Sequence, residues 1–132
     1  MPEQQFLLMS LDGTQYALAL EAVDELLRMV ALAPKRDAPG WLLGYLNVRG
    51  EILPALDLRA LLQMQPAVIR LETPIVVIRA GAQRAALVVD EVSQVVPLDF
   101  GANGQNVSHF AHQPVFLLEP GRLVAQAHQL HA

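Results

Sequence analysis

The sequence predicts a mainly β protein, built as small β-barrels or a sandwich with short helices as accessories. Apolar, β-branched runs are short, turn signals separate them at close intervals, and long stretches of helical periodicity are few. At 132 residues the chain has the size of one domain, long enough to bury roughly two thirds of its unfolded surface without a disulfide or a metal.

The first element carries the strongest signal. "QFLLMSL" and "TQYALAL" flank Asp12-Gly13, whose tolerance of positive φ suits a two-residue hairpin turn. In "EAVDELLR" the spacing of Val23, Leu26 and Leu27 gives a short helix one apolar face with Glu25 toward water, and Pro34 closes the segment. From Leu42 to Leu58 apolar residues support a hairpin around Arg49-Gly50-Glu51, in which Pro54 suggests an edge or a bulge. Asp57 can cap the short helical stretch "LRALL" by accepting its free amide hydrogens. "TPIVVIRAGAQRAALVVDEVSQVVPL" supplies two β-branched strands about Gly81. "FGANGQN" reads as a loop, and "PVFLLEPGRLVAQA" as a last hairpin turning at Pro120-Gly121.

The chain resembles itself. "GTQYALALEAVDE" from Gly13 matches "GAQRAALVVDE" from Gly81, and "RGEILPALDL" around Gly50 answers "PGRLVAQAHQL" around Gly121 at nearly the same offset. One domain over 1–132 is expected, with approximate halves at 6–66 and 71–130 between which strands can be exchanged. Residues needed to build a barrel should then occur twice, and residues needed for a task once. In this alignment Arg49 faces Pro120 and Asp57 faces His128, so the arginine is unduplicated.

Composition narrows the classes of function. Apolar residues make up 53% of the chain and charged ones 17%, so either the core is large or apolar surface meets partners. No window approaches the ~18 apolar residues of a membrane span, and "MPEQQ" has neither a basic leader nor a signal-peptide core, which predicts a cytoplasmic protein without direct membrane insertion. The absence of cysteine excludes thiol catalysis and thiolate metal sites. A net charge of -4 without a basic cluster argues against nucleic acid.

Taken together, "AVDELLR", "GYLNVRGEILPALDLRALL" and "ALVVDEVSQVVPL" resemble the CheW-like family, the coupling proteins of bacterial chemosensory systems, over roughly residues 6 to 100. The second string looks like the family pattern G-x-x-N-x-R-G-x-x-x-P-x-x-D-L-R. The resemblance implies two small five-stranded SH3-like β-barrels packed side by side. It also implies a non-enzymatic adaptor joining the cytoplasmic signalling tip of a chemoreceptor to the regulatory domain of a histidine kinase, recruited to membrane receptor arrays. The tail "LVAQAHQLHA" departs from the family's closing pattern.

By this resemblance Arg49 is a receptor-binding residue, with Val23, Glu25 and Leu26 as further contacts and Asn47 as a neighbour. A guanidinium on a rigid hairpin offers five donors and a permanent charge, suited to a carboxylate or to carbonyls at a helix end. The alternative for Arg49 is structural, a bridge to Glu51 or a cap on the strand turn that touches no partner. Gly50 and Asp57 are expected to serve turn geometry and helix capping. Kinase docking is expected on the outer strands of the first barrel, with no side chain singled out.

Other chemistries lack their motifs. No serine lies in G-x-S-x-G, and "GANG" has no P-loop spacing. "HFAH" and "HQLH" pair histidines at helical spacing without the carboxylate base of H-E-x-x-H, so no metal or cofactor is expected. The remaining alternative is a CheW-like scaffold serving a twitching, gliding or other signalling array with altered partners.

Overall fold

Two-residue turns organise the chain, whose computed structural model describes residues 4–29, 39–101 and 106–128. Strands β1 (Gln5–Leu11) and β2 (Thr14–Ala19) close at Asp12-Gly13, both with positive φ as this turn requires. β4 (Leu42–Val48) and β5 (Glu51–Asp57) close at Arg49-Gly50 in the same way, with φ of 51° and 88°. β6 (Pro74–Ala80) and β7 (Gln83–Val88) close at Gly81-Ala82, while β9 (Val107–Phe110) and β10 (Gln113–Leu117) close at Ala111-His112. Two further strands, β3 (Val23–Arg28) and β8 (Glu91–Pro97), follow the first and third hairpins, and two helices, α1 (Leu58–Leu61) and α2 (Pro120–His128), follow the second and fourth.

The strands form two five-stranded, barrel-like sheets, ordered β8-β1-β2-β10-β9 and β3-β6-β7-β5-β4. The two orders superpose as a repeat in which β1, β2, β3, β4, β5 and α1 correspond to β6, β7, β8, β9, β10 and α2. Each half sends its third strand to the opposite sheet: β3 pairs with β6, and β8 with β1. Its last strand also crosses, since β5 pairs in parallel with β7 and β10 with β2. Each sheet thus draws strands from both sides of residues 66–71.

The apolar composition is absorbed by strands buried on both faces. In β6, Ile75 and Val77 face the interior of the second sheet while Val76 and Ile78 face a cluster shared by both sheets. In β1, Phe6 and Leu8 face the first sheet's own cluster while Leu7, Met9 and Leu11 join the shared one. This is the period-two geometry of strands applied to two cores at once. Each fully buried leucine or isoleucine contributes about 1.5–3 kcal/mol.

Three local expectations are corrected. "EAVDELLR" forms a single 3-10 turn at Leu20–Ala22 and then strand β3. Eight residues are too few to stabilise a helix alone, and the β-branched strand β6 offers a complete ladder instead. Leu26 is therefore 51% exposed where the helical reading turned it inward. Pro34 lies outside the described residues. The expected last hairpin is β10 followed by α2, with Pro120 as the first helical residue, where a missing N–H costs nothing. Val124 and Ala127 point into the shared core. Pro54 is not on an edge, since its strand has neighbours on both sides, but the hairpin's register irregularity lies beside it, between Leu42 and Gly44 opposite Leu56 and Ala55.

"FGANGQN" falls in part outside the described residues; Gly101 within it has a φ of +80°. The repeat also realigns. The counterpart of Arg49-Gly50 is Ala111-His112, and that of Asp57 is Glu119, the residue before α2.

Candidate functional site

Strands β3 and β4 are the two edges of the second sheet, and a groove of about 550 Å³ runs between them. Glu25, Leu26, Asn47 and Arg49 all line it. Arg49 Nε and Nη2 donate to Glu25 Oε1 at 3.0 and 2.6 Å, spanning the seam that no ladder of backbone hydrogen bonds closes. The arginine side chain is 79% exposed and the glutamate 18%, so the pair is anchored at the carboxylate and open at the guanidinium. The hydrogen bond from Arg49 pulls the Glu25 carboxyl below its ordinary range. Glu25 therefore faces its ion partner and not open water, contrary to the helical reading.

The turn that carries Arg49 is held by its own sequence. Asn47 Oδ1 accepts the Gly50 N–H at 2.9 Å, so the asparagine shapes the turn as well as lining the groove. Glu51 pairs with Arg84, which leaves Arg49 to Glu25. Val23 departs from the set: it is half-buried against the shared core and does not line the groove. Asp57 caps α1 by accepting the Arg59 N–H at 3.0 Å, in line with its expected role.

Arg59 is the functional-looking residue that motif reading passed over. It is 8% exposed, and its Nε and Nη2 donate to the two oxygens of Asp90 at 2.8 and 2.6 Å. Nη1 donates to the Gln65 carbonyl at 2.7 Å, and Nη2 also meets Asp12. The guanidinium thus joins the β1–β2 turn, α1 and the crossover from β7 to β8. Hydrogen bonds from Arg59 hold Asp90 below its ordinary pKa, and the two aspartates raise that of Arg59. The signal was present in "DLR", immediately after the capping aspartate.

Among the described residues no group of three or more histidine, cysteine or carboxylate side chains is placed to hold an ion, and "HFAH" is a strand and a turn, not a helix. No helix among the described residues is long and apolar enough to cross a membrane.

The chain thus pairs two five-stranded, barrel-like sheets and carries an arginine on an N-x-R-G turn. The model of the CheW-like domain matches residues 5–125, and the chain belongs to that family. It is 30% identical over 95 residues to the chemotaxis protein CheW of Klebsiella aerogenes, covering 72% of this chain and 57% of that protein. It is 34% identical over 91 residues to protein FrzA of Myxococcus xanthus, covering 69% and 57%. The chain thus spans somewhat over half the length of these relatives. The scaffolding protein TtCheW of Thermoanaerobacter tengcongensis shares the fold, with a TM-score of 0.78 and 19% identity over 89% of both chains.

Proposed function

We propose that the chain is a non-enzymatic adaptor of bacterial chemosensory signalling, coupling the cytoplasmic tips of chemoreceptors to the regulatory domain of a histidine kinase. The β3–β4 groove carries the reading. An exposed arginine anchored at one end, an exposed leucine and a carboxylate lie side by side, a combination that suits the polar and apolar faces of a helical hairpin tip. In this reading Arg49, Glu25 and Leu26 contact the receptor, Asn47 positions the turn, and Val23 anchors the start of β3 on the shared core. The protein works in the cytoplasm, beside receptor arrays, and contributes contact area, not chemistry.

The test is calorimetric titration of the purified chain against a receptor signalling-tip fragment and, separately, a kinase regulatory domain from the same genome. Arg49→Glu should weaken the receptor arm by about tenfold or more, leaving the kinase arm and the thermal midpoint unchanged. Unchanged receptor affinity in a folded variant would remove Arg49 from the interface. The likeness to FrzA, a relative not named for chemotaxis, favours one second reading: a CheW-like scaffold serving another signalling array. Binding to the kinase domain with none to the receptor tip would select it.

A further inference from the structure

The repeat places two grooves at equivalent positions, one in each sheet. Each lies where a hairpin's first strand enters, its second strand ends, and the parallel strand turns into a helix. In the second sheet the groove of about 390 Å³ is lined by the ends of β7 and β5 and by the approach to β6, and Arg59 occupies it. There the fold places carboxylates against a cation of its own: Arg59 faces Asp90 and Asp12.

The first sheet's groove is larger, about 570 Å³, and its charge is different. Glu21, Asp99 and Glu119 line it, all exposed, and no lysine or arginine does among the described residues. The floor is apolar, made of Phe6, Leu98, Phe100 and Leu117. Phe100 is half-buried and meets Phe6 edge to face with ring centroids 5.1 Å apart. The position equivalent to Arg59 is the second residue of α2, where Gly121 stands and offers no side chain.

We infer that this groove docks a protein partner through a basic segment, seating one arginine side chain between the three carboxylates with its apolar neighbours against the phenylalanine floor. Charge complementarity selects the occupant. A guanidinium on an aliphatic stem matches both surfaces, with its face toward an aromatic ring and its edge toward carboxylates. The groove lies on the sheet that does not contain Arg49 and Glu25, so the inference stands apart from the receptor reading.

The test uses the full chain, labelled with nitrogen-15, and two capped tripeptides, Leu-Arg-Leu and Leu-Gln-Leu. The arginine peptide should shift the amide signals of Ala19, Glu21, Gly101 and Glu119 in a saturable way, and the glutamine peptide should not. The double variant Glu21→Gln, Glu119→Gln should weaken the arginine peptide about fivefold or more while leaving the rest of the spectrum in place, since both side chains are exposed. Equal shifts from both peptides, or unchanged binding to the double variant, would overturn the inference. So would displacement of the same amide signals in Lys35→Ala, Arg36→Ala, because the cation would then be the chain's own.

Discussion

The turn Arg49-Gly50 and the turn Ala111-His112 occupy the same place in the two repeats, yet they have little in common except backbone shape. Both hold two residues with positive φ between antiparallel strands. Only the first carries a permanent charge, and that charge reaches across a seam to Glu25. The helix entries contrast in the same manner: Arg59 follows the capping Asp57 in one half, while Pro120-Gly121 follows Glu119 in the other. Backbone plan is duplicated and charge placement is not. What the halves share builds the barrels, and what they do not share marks where the molecule has room to specialise.

The sharpest way to break this comparison is to ask whether the halves are separable. Leu56 is fully buried in the shared cluster, and Leu56→Ala should cost about 3 kcal/mol in urea unfolding. The loss should appear in one cooperative transition by both fluorescence and circular dichroism. Two resolved transitions would mean that the sheets unfold independently and that the shared cluster does not unite them.

A smaller effect should follow at Arg59. Arg59→Met leaves Asp90 and Asp12 facing each other without their cation, at a cost of about 2 kcal/mol at pH 7, reduced from the buried-pair range because Asp12 is 57% exposed. The pH dependence has a definite sign. Asp90 has a lowered folded pKa, so its contribution is present above its ordinary value of 3.8 and is lost as pH falls through the folded value. Wild type should therefore lose stability on acidification below about pH 4, and Arg59→Met should show a shallower loss over that window. Equal slopes would show that Arg59 does not perturb Asp90.

The smallest effects concern the turns themselves. Gly50→Ala should cost about 1 kcal/mol although an added Cβ would meet nothing within 4 Å, since the penalty lies in the backbone at a φ of +88°. His112, at a φ of 66°, pays that strain already, and His112→Gly should change stability by about 0.5 kcal/mol or less in the favourable direction. Destabilisation by His112→Gly would show that the imidazole makes a contact that outweighs the backbone.

The sequence displayed the hairpins because their signals are local: Asp12-Gly13, Arg49-Gly50 and Gly81 each state a turn within two residues. It displayed the groove residues only through family likeness, because Glu25 and Arg49 are 24 residues apart in sequence and nothing local says that they meet. β3 was misread for the same reason. Val23, Leu26 and Leu27 fit helical spacing, and the choice of strand came from β6, which lies far downstream. The β9–β10 turn was hidden because alanine and histidine are poor advertisements for positive φ, and Pro120-Gly121 advertised a turn where a helix begins. Arg59 was visible in "DLR", but its partners Asp12, Gln65 and Asp90 come from three other segments.

The exchange of third strands sets the order of assembly. The sheet that begins at β1 is completed by β8, β10 and β9, so the first hairpin emerging from the ribosome must wait for nearly the whole chain before its edges are paired. Strand pairings of such long sequence separation make slow folding, governed by loop closure more than by local propensity. During that wait the unpaired edges of β1 and β2 are open to pairing with a neighbouring chain. A gene fragment ending before β8 would therefore hold every strand of the second sheet and yet carry β1 and β2 as a sticky hairpin with both edges unpaired.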